Sequence, residues 1–121
     1  MQLINKSVEA LLKPLYTQEN VEDPTVVLHF FYGACDWHIT EGSPIDDEGE
    51  AALDENGKNV PYDRDKHADF HFFGLCDLGM GFPELGRVAL SELESVRVIE
   101  RDLHFTPAPL STFQKKAGCA Y

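Results

Sequence analysis

No run of apolar residues in this 121-residue chain approaches the roughly 20 that a helical membrane span needs. The opening stretch, MQLINKSVEALLKPLY, lacks the charged and apolar regions of a secretion signal, so a cytoplasmic location is expected. Cysteine is scarce: Cys35, Cys76 and Cys119 are an odd number without a CxxC pair, which points to buried thiols rather than a disulfide framework. A reactive thiol would need electropositive surroundings that the chain does not offer. Basic residues are few as well, with 10 Lys and Arg against 21 Asp and Glu and a net charge of −11. Direct nucleic-acid binding depends on Lys and Arg at phosphates, so it is not expected. There is no internal repeat and no low-complexity tract. Gly74, Gly79, Gly81 and Gly86 fit no phosphate-binding spacing and no P-loop lysine follows them, so they read as turn glycines.

What is present is a globular composition, 43% hydrophobic, over a length suited to one domain spanning residues 1–121. The organising stretch is His71 to Glu94. Phe70, Phe72, Phe73, Leu75 and Cys76 make a strand, Gly79, Gly81 and Pro83 a turn, and Leu85, Val88 and Leu90 a second strand. Ser91 with Glu94 three residues on reads as a capping box for a short helix. Upstream, Asn5 or Ser7 caps a helix whose Val8, Leu11 and Leu12 share a face before Pro14 closes it. Thr25–Tyr32 is apolar on both faces except at His29 and reads as a central strand. After a turn at Gly33-Ala34-Cys35, Asp36–Thr40 forms a strand with Trp37 and Ile39 inward and a wet opposite face. Ile99, Leu103 and Phe105 can pack along an edge segment. Ser111 caps a last helical turn through Lys116, and the chain frays from Gly118 to Tyr121.

Residues 41–65 differ in composition. Nine acids (Glu41, Asp46, Asp47, Glu48, Glu50, Asp54, Glu55, Asp63, Asp65) stand against Lys58 and Arg64, leaving about −7 of the net charge there. Asn56-Gly57 is a hairpin signal, since both residues tolerate the positive φ of a type I′ turn. The segment therefore reads as an acidic hairpin, Leu53 to Val60, inserted between core strands.

Candidate chemistry is sparse. His67, Asp69 and His71 share a strand face, but at about 6.6 Å spacing they need a ligand from elsewhere. A solvent-facing polar side is the simpler account, so neither metal nor other cofactor is expected. Asp54, Asn56, Lys58 and Asp65 fail the calcium-loop pattern at its third ligand and at its glycine. Glu100, Arg101, Asp102 and His104 read as a surface ion-pair strip, with an active site as the alternative. Trp37 reads as core beside Ile39, or as an interface anchor if exposed.

Together, FFGLCDL, ELGRVALSELESVR and IERDLHFTP resemble the signature of a domain-of-unknown-function family, number two-nine-five-eight, carried by bacterial plasmids, integrative elements and phages. LINKSVEALLKPLY and FYGACDWHITEG are similar to its opening and its Trp-containing strand. The resemblance covers nearly all the chain outside the insertion. The family has a shorter link before FFGL and a Gly/Pro-rich stretch before IERDL, where this chain runs straight through Val96-Arg97-Val98. It implies no catalytic residues, only a context in which small accessory proteins bind and disable host defences.

The expected fold is α+β: a mainly antiparallel sheet of four to five strands, short helices on one face, and the acidic insertion. The expected function is a non-catalytic, anti-defence interaction protein of a mobile genetic element, of the anti-CRISPR or DNA-mimic kind. Its partner would be a basic, nucleic-acid-binding host protein, met by Glu41, Asp46, Asp47, Glu48, Glu50, Asp54, Glu55 and Trp37. The alternatives are a small metal-dependent enzyme and an acidic structural domain that homodimerises through its sheet edge.

Overall fold

The computed structural model describes residues 2–116. Cys119 and the expected frayed end from Gly118 lie outside the described residues. The chain runs α1 (Lys6–Glu9), β1 (Thr25–Val26), β2 (Leu28–Tyr32), β3 (Cys35–Ile45), β4 (Asp69–Asp77), β5 (Glu84–Ala89), α2 (Leu90–Ser95), β6 (Glu100–Arg101), β7 (Ala108–Pro109) and α3 (Leu110–Lys116). The sheet is antiparallel, five-stranded, in the order β5-β4-β3-β2-β6, while β1 and β7 form a small sheet of their own. The class is α+β, as the sequence pattern indicates.

The sheet has a core on each face. One gathers Leu3, Ile4, Val8 and Leu12 with Phe30, Trp37, Ile39, Phe70 and Phe72, closed by Leu90 and Leu93 of α2. Phe30 and Phe72 meet edge-on at 5.2 Å between ring centres, a favoured aromatic geometry. The other is smaller: Val26, Leu75 and Leu110, with Phe105 and Phe113 packed against them. Helices therefore cover both faces rather than one, α1 and α2 opposite α3.

Three sequence expectations are corrected by local irregularities. The apolar stretch from Thr25 is not one central strand. It breaks at Val27, whose amide donates to the Ile39 carbonyl at 2.9 Å, and Val26 packs in the smaller core while Val27 joins the larger. The central strand is instead β3, and it runs five residues past Thr40 into the supposed insertion. A β-bulge between Ile39 and Glu41 makes this possible. Alternation alone would put Glu41 beside Trp37 and Ile39. The extra residue turns it to the opposite face, opposite Phe73. Gly74 sits against this bulge, inside β4 rather than in a turn, and a Cβ there would meet the His38 carbonyl oxygen at 2.0 Å. Gly86 likewise lies within β5, whereas Gly79 and Gly81 have the positive φ of turn glycines.

The helix starts also differ. α1 is capped by Asn5, whose Oδ1 accepts from the Val8 amide at 2.9 Å, but it ends before Leu11, which is half exposed. Ser91 is not the cap of α2; it lies inside the first turn. Its amide and hydroxyl both donate to the carboxylate of Asp69, at the start of β4. Ser111 in α3 does the same with Asp23, at 3.0 and 2.7 Å. A remote aspartate thus satisfies first-turn donors that a local cap would have satisfied. Glu94 instead receives a two-pronged hydrogen bond from Arg64 at 3.0 and 2.6 Å.

Candidate functional site

The cleft richest in chemistry lies on the face of the smaller core. β2 and β3 place His29 and His38 directly opposite one another, and the segment after β6 folds over them. The cleft has a volume of about 590 Å³ and is lined by three histidines (His29, His38, His104), three aspartates (Asp36, Asp77, Asp102) and the rings of Phe105 and Phe113. That volume is within the usual range for small-ligand sites, roughly 300–1,000 Å³.

His29 is its centre. Nε2 lies 2.7 Å from Asp36 Oδ1 and Nδ1 lies 3.2 Å from Asp102 Oδ2, with the imidazole side chain 15% exposed. Its ring stacks on His38 at 4.4 Å, nearly parallel at 6°, and His38 stacks in turn on Phe113 at 4.2 Å. Burial pushes the Asp102 carboxyl up. The hydrogen bond from His29, the His104 amide and the two imidazoles more than offset it, so Asp102 titrates below the ordinary range. Ligand atoms of His29, Asp36 and His38 all lie within 4.8 Å of one another. Among the described residues this is the one set of three or more so placed.

The sequence-based candidate triplet does not converge. β4 begins only at Asp69, so His67 is not on the strand, and its Nδ1 accepts from the Asp63 amide at 3.0 Å. Asp69 holds Ser91, and His71 Nδ1 accepts from Arg87 at 2.8 Å. Burial and the Arg87 charge both push the His71 imidazole below its usual value. Burial raises Asp69, but the Ser91 hydroxyl, the Phe70 and Ser91 amides and His71 bring it below the ordinary carboxylate range. Cys76 is pushed up to about 11 by burial and by Glu92, which leaves a poorly nucleophilic thiol.

The expected partner-binding set divides. Glu41 is buried (3% exposed), its two oxygens accepting from the Tyr16 amide at 2.8 Å and the Gln18 amide at 2.9 Å. Trp37 is buried in the larger core (8% exposed). Neither is available to a partner. The remaining acids sit on two turns of the same build, eight residues apart. In Asp46–Glu50 the aspartate Oδ1 accepts from the amides of Glu48 and Glu50, and in Asp54–Lys58 from those of Asn56 and Lys58. Each turn has a positive-φ glycine fourth, Gly49 and Gly57. Asn56 has no positive φ, so the type I′ turn is not formed, and single bridges at Ile45–Ala51 and Leu53–Asn59 replace a regular hairpin. Asn59 fastens the segment to the body: its Oδ1 accepts from Ser43 Oγ at 2.6 Å and its Nδ2 donates to the Gly42 carbonyl at 2.8 Å. Asp47, Glu48, Glu50, Asp54 and Glu55 remain exposed, whereas Asp46 is partly buried. The D-x-x-G-x spacing is short but repeated, and it is the signal that would have revealed these turns.

The fold and cleft define a small α+β domain with a histidine–aspartate pocket on a strand pair. Residues 62–120 match a family described as a protein of unknown function (DUF2958), the family that the FFGL, ELGR and IERDL motifs resemble. The match covers just under half of the chain and leaves out the opening and the Trp-containing strand. No curated protein and no solved structure matches the chain.

Proposed function

We propose that the protein is a non-catalytic interaction protein of a mobile genetic element, acting on a basic, nucleic-acid-binding host or defence protein. The observation that carries this reading is the fixed presentation of Asp47, Glu48, Glu50 and Glu55. Their backbone is held by the hydrogen bonds of two successive turns, so these exposed acidic side chains project from a fixed main chain, with Lys58 the one basic residue on the two turns. Preorganised charge steers encounter with a basic cleft and loses less entropy on binding than a mobile tail. The mobile-element setting comes from the family resemblance alone.

The test replaces Asp47 by Asn and Glu48, Glu50 and Glu55 by Gln together, sparing the turn-holding Asp46 and Asp54. Binding of a basic host protein should be competed by duplex DNA, should weaken steeply as salt rises, and should be lost in the fourfold variant. Unchanged affinity and salt dependence in that variant would sink the proposal.

A further inference from the structure

We infer that His29, Asp36 and His38 form a binding site for a first-row divalent transition metal ion, with zinc the best match. The site is separate from the acidic turns and does not rest on the interaction reading.

Imidazole nitrogen and carboxylate oxygen together favour zinc or its neighbours in the first row over magnesium or calcium, which favour oxygen throughout. The three ligand atoms already lie within 4.8 Å of one another. Around one tetrahedral zinc, such atoms stand about 3.3 Å apart, so the site closes by side-chain rotation without a change of strand register. The supporting contact is in place too. Asp102 Oδ2 lies at Nδ1 of His29, leaving Nε2 to face Asp36 and the ion. A carboxylate behind a ligating imidazole fixes its tautomer and orientation in many metal sites. The charge balance points the same way. Asp36, Asp77 and Asp102 line the cleft, and none of the described lining residues is Lys or Arg. A divalent ion supplies the missing positive charge.

One feature of this arrangement must change. The rings of His29 and His38 lie in nearly parallel planes, and an ion takes the in-plane lone pair of each nitrogen. Binding therefore turns His38 out of its stack with Phe113, and so reports itself at α3.

The experiment is a calorimetric titration of the chelator-stripped full chain with Zn²⁺ at neutral pH. The expected result is one ion per chain, no competition by Mg²⁺, and a shift in the Phe113 ring resonances on binding. His38→Phe keeps an aromatic ring against Phe113 but removes the ligand, and should weaken binding at least tenfold, as should Asp36→Asn. Asp102→Asn should weaken it by about 10- to 100-fold. His71→Ala should bind as wild type does. Near-UV circular dichroism of Trp37 establishes that each variant is folded, and His38→Phe decides the matter if Asp36→Asn is not. Absence of saturable zinc binding by the wild-type chain, or wild-type affinity in folded His38→Phe, overturns the assignment.

Discussion

Aspartate and glutamate do different work in two regions of this molecule. In the 46–58 segment, Asp46 and Asp54 accept from amides two and four residues ahead, so their hydrogen bonds close turns and nothing more. In the body, Asp69 reaches 22 residues to Ser91, Glu41 reaches 25 and 23 residues back to Tyr16 and Gln18, and Asp102 reaches 73 residues back to His29. The first set shapes a surface; the second ties the fold. Charge counts along the sequence rank the first region as the important one, whereas the contacts that hold the structure belong to the second.

The largest effect that would sharpen this contrast is expected from Glu41→Ala. It leaves two amides unpaired and a cavity beside the bulge, and should cost on the order of 3 kcal/mol in urea unfolding. A loss below that of an ordinary surface substitution would break the distinction, because Glu41 would then be only another acid of the insertion.

Next comes Asp69→Ala, which removes the remote cap of α2 and should cost about 1–2 kcal/mol. Its acid dependence can be predicted as well. Asp69 has a lower pKa folded than unfolded, so the unfolded chain binds more protons between the two values. The stability it contributes is complete above the ordinary carboxylate pKa and is lost as pH falls through the lower folded value. His71 is also depressed, so its contribution is complete above about 6.5 and declines as pH falls below that. Wild type should thus weaken in two stages on acidification, with the lower stage diminished in Asp69→Asn.

The smallest effect is expected from Asp46→Ala or Asp54→Ala. Each should change global stability by less than about 1 kcal/mol while raising proteolytic cleavage within its own turn. A cooperative loss of the whole fold in either would show that the two regions are not distinct.

Much of the framework was legible in the sequence. The alternation of Phe70 and Phe72 with His71 and Phe73, and the glycines at 79 and 81, mark β4, the turn and β5 because local sterics and burial agree there. The bulge at Thr40 was not legible. A single inserted residue leaves no compositional trace, yet it decides which face Glu41 occupies. The pocket was half visible: Asp102 and His104 stood out as a charged cluster, but His29 appeared only as a polar interruption in an apolar run. Its partners are 7 and 73 residues away, and pairing across strands rather than spacing brings them together.

The remote caps bear on the order in which the chain acquires its structure. α2 and α3 have six and seven residues, too few to persist alone in water. The first turn of α3 is closed by Asp23, 88 residues earlier, and that of α2 by Asp69, 22 residues earlier. Closing the longer loop costs more chain entropy, by a logarithmic term. The helices are therefore consequences of a formed sheet rather than nuclei for it. During synthesis Asp23 leaves the ribosome long before Ser111 does, so α3 waits on the chain between them.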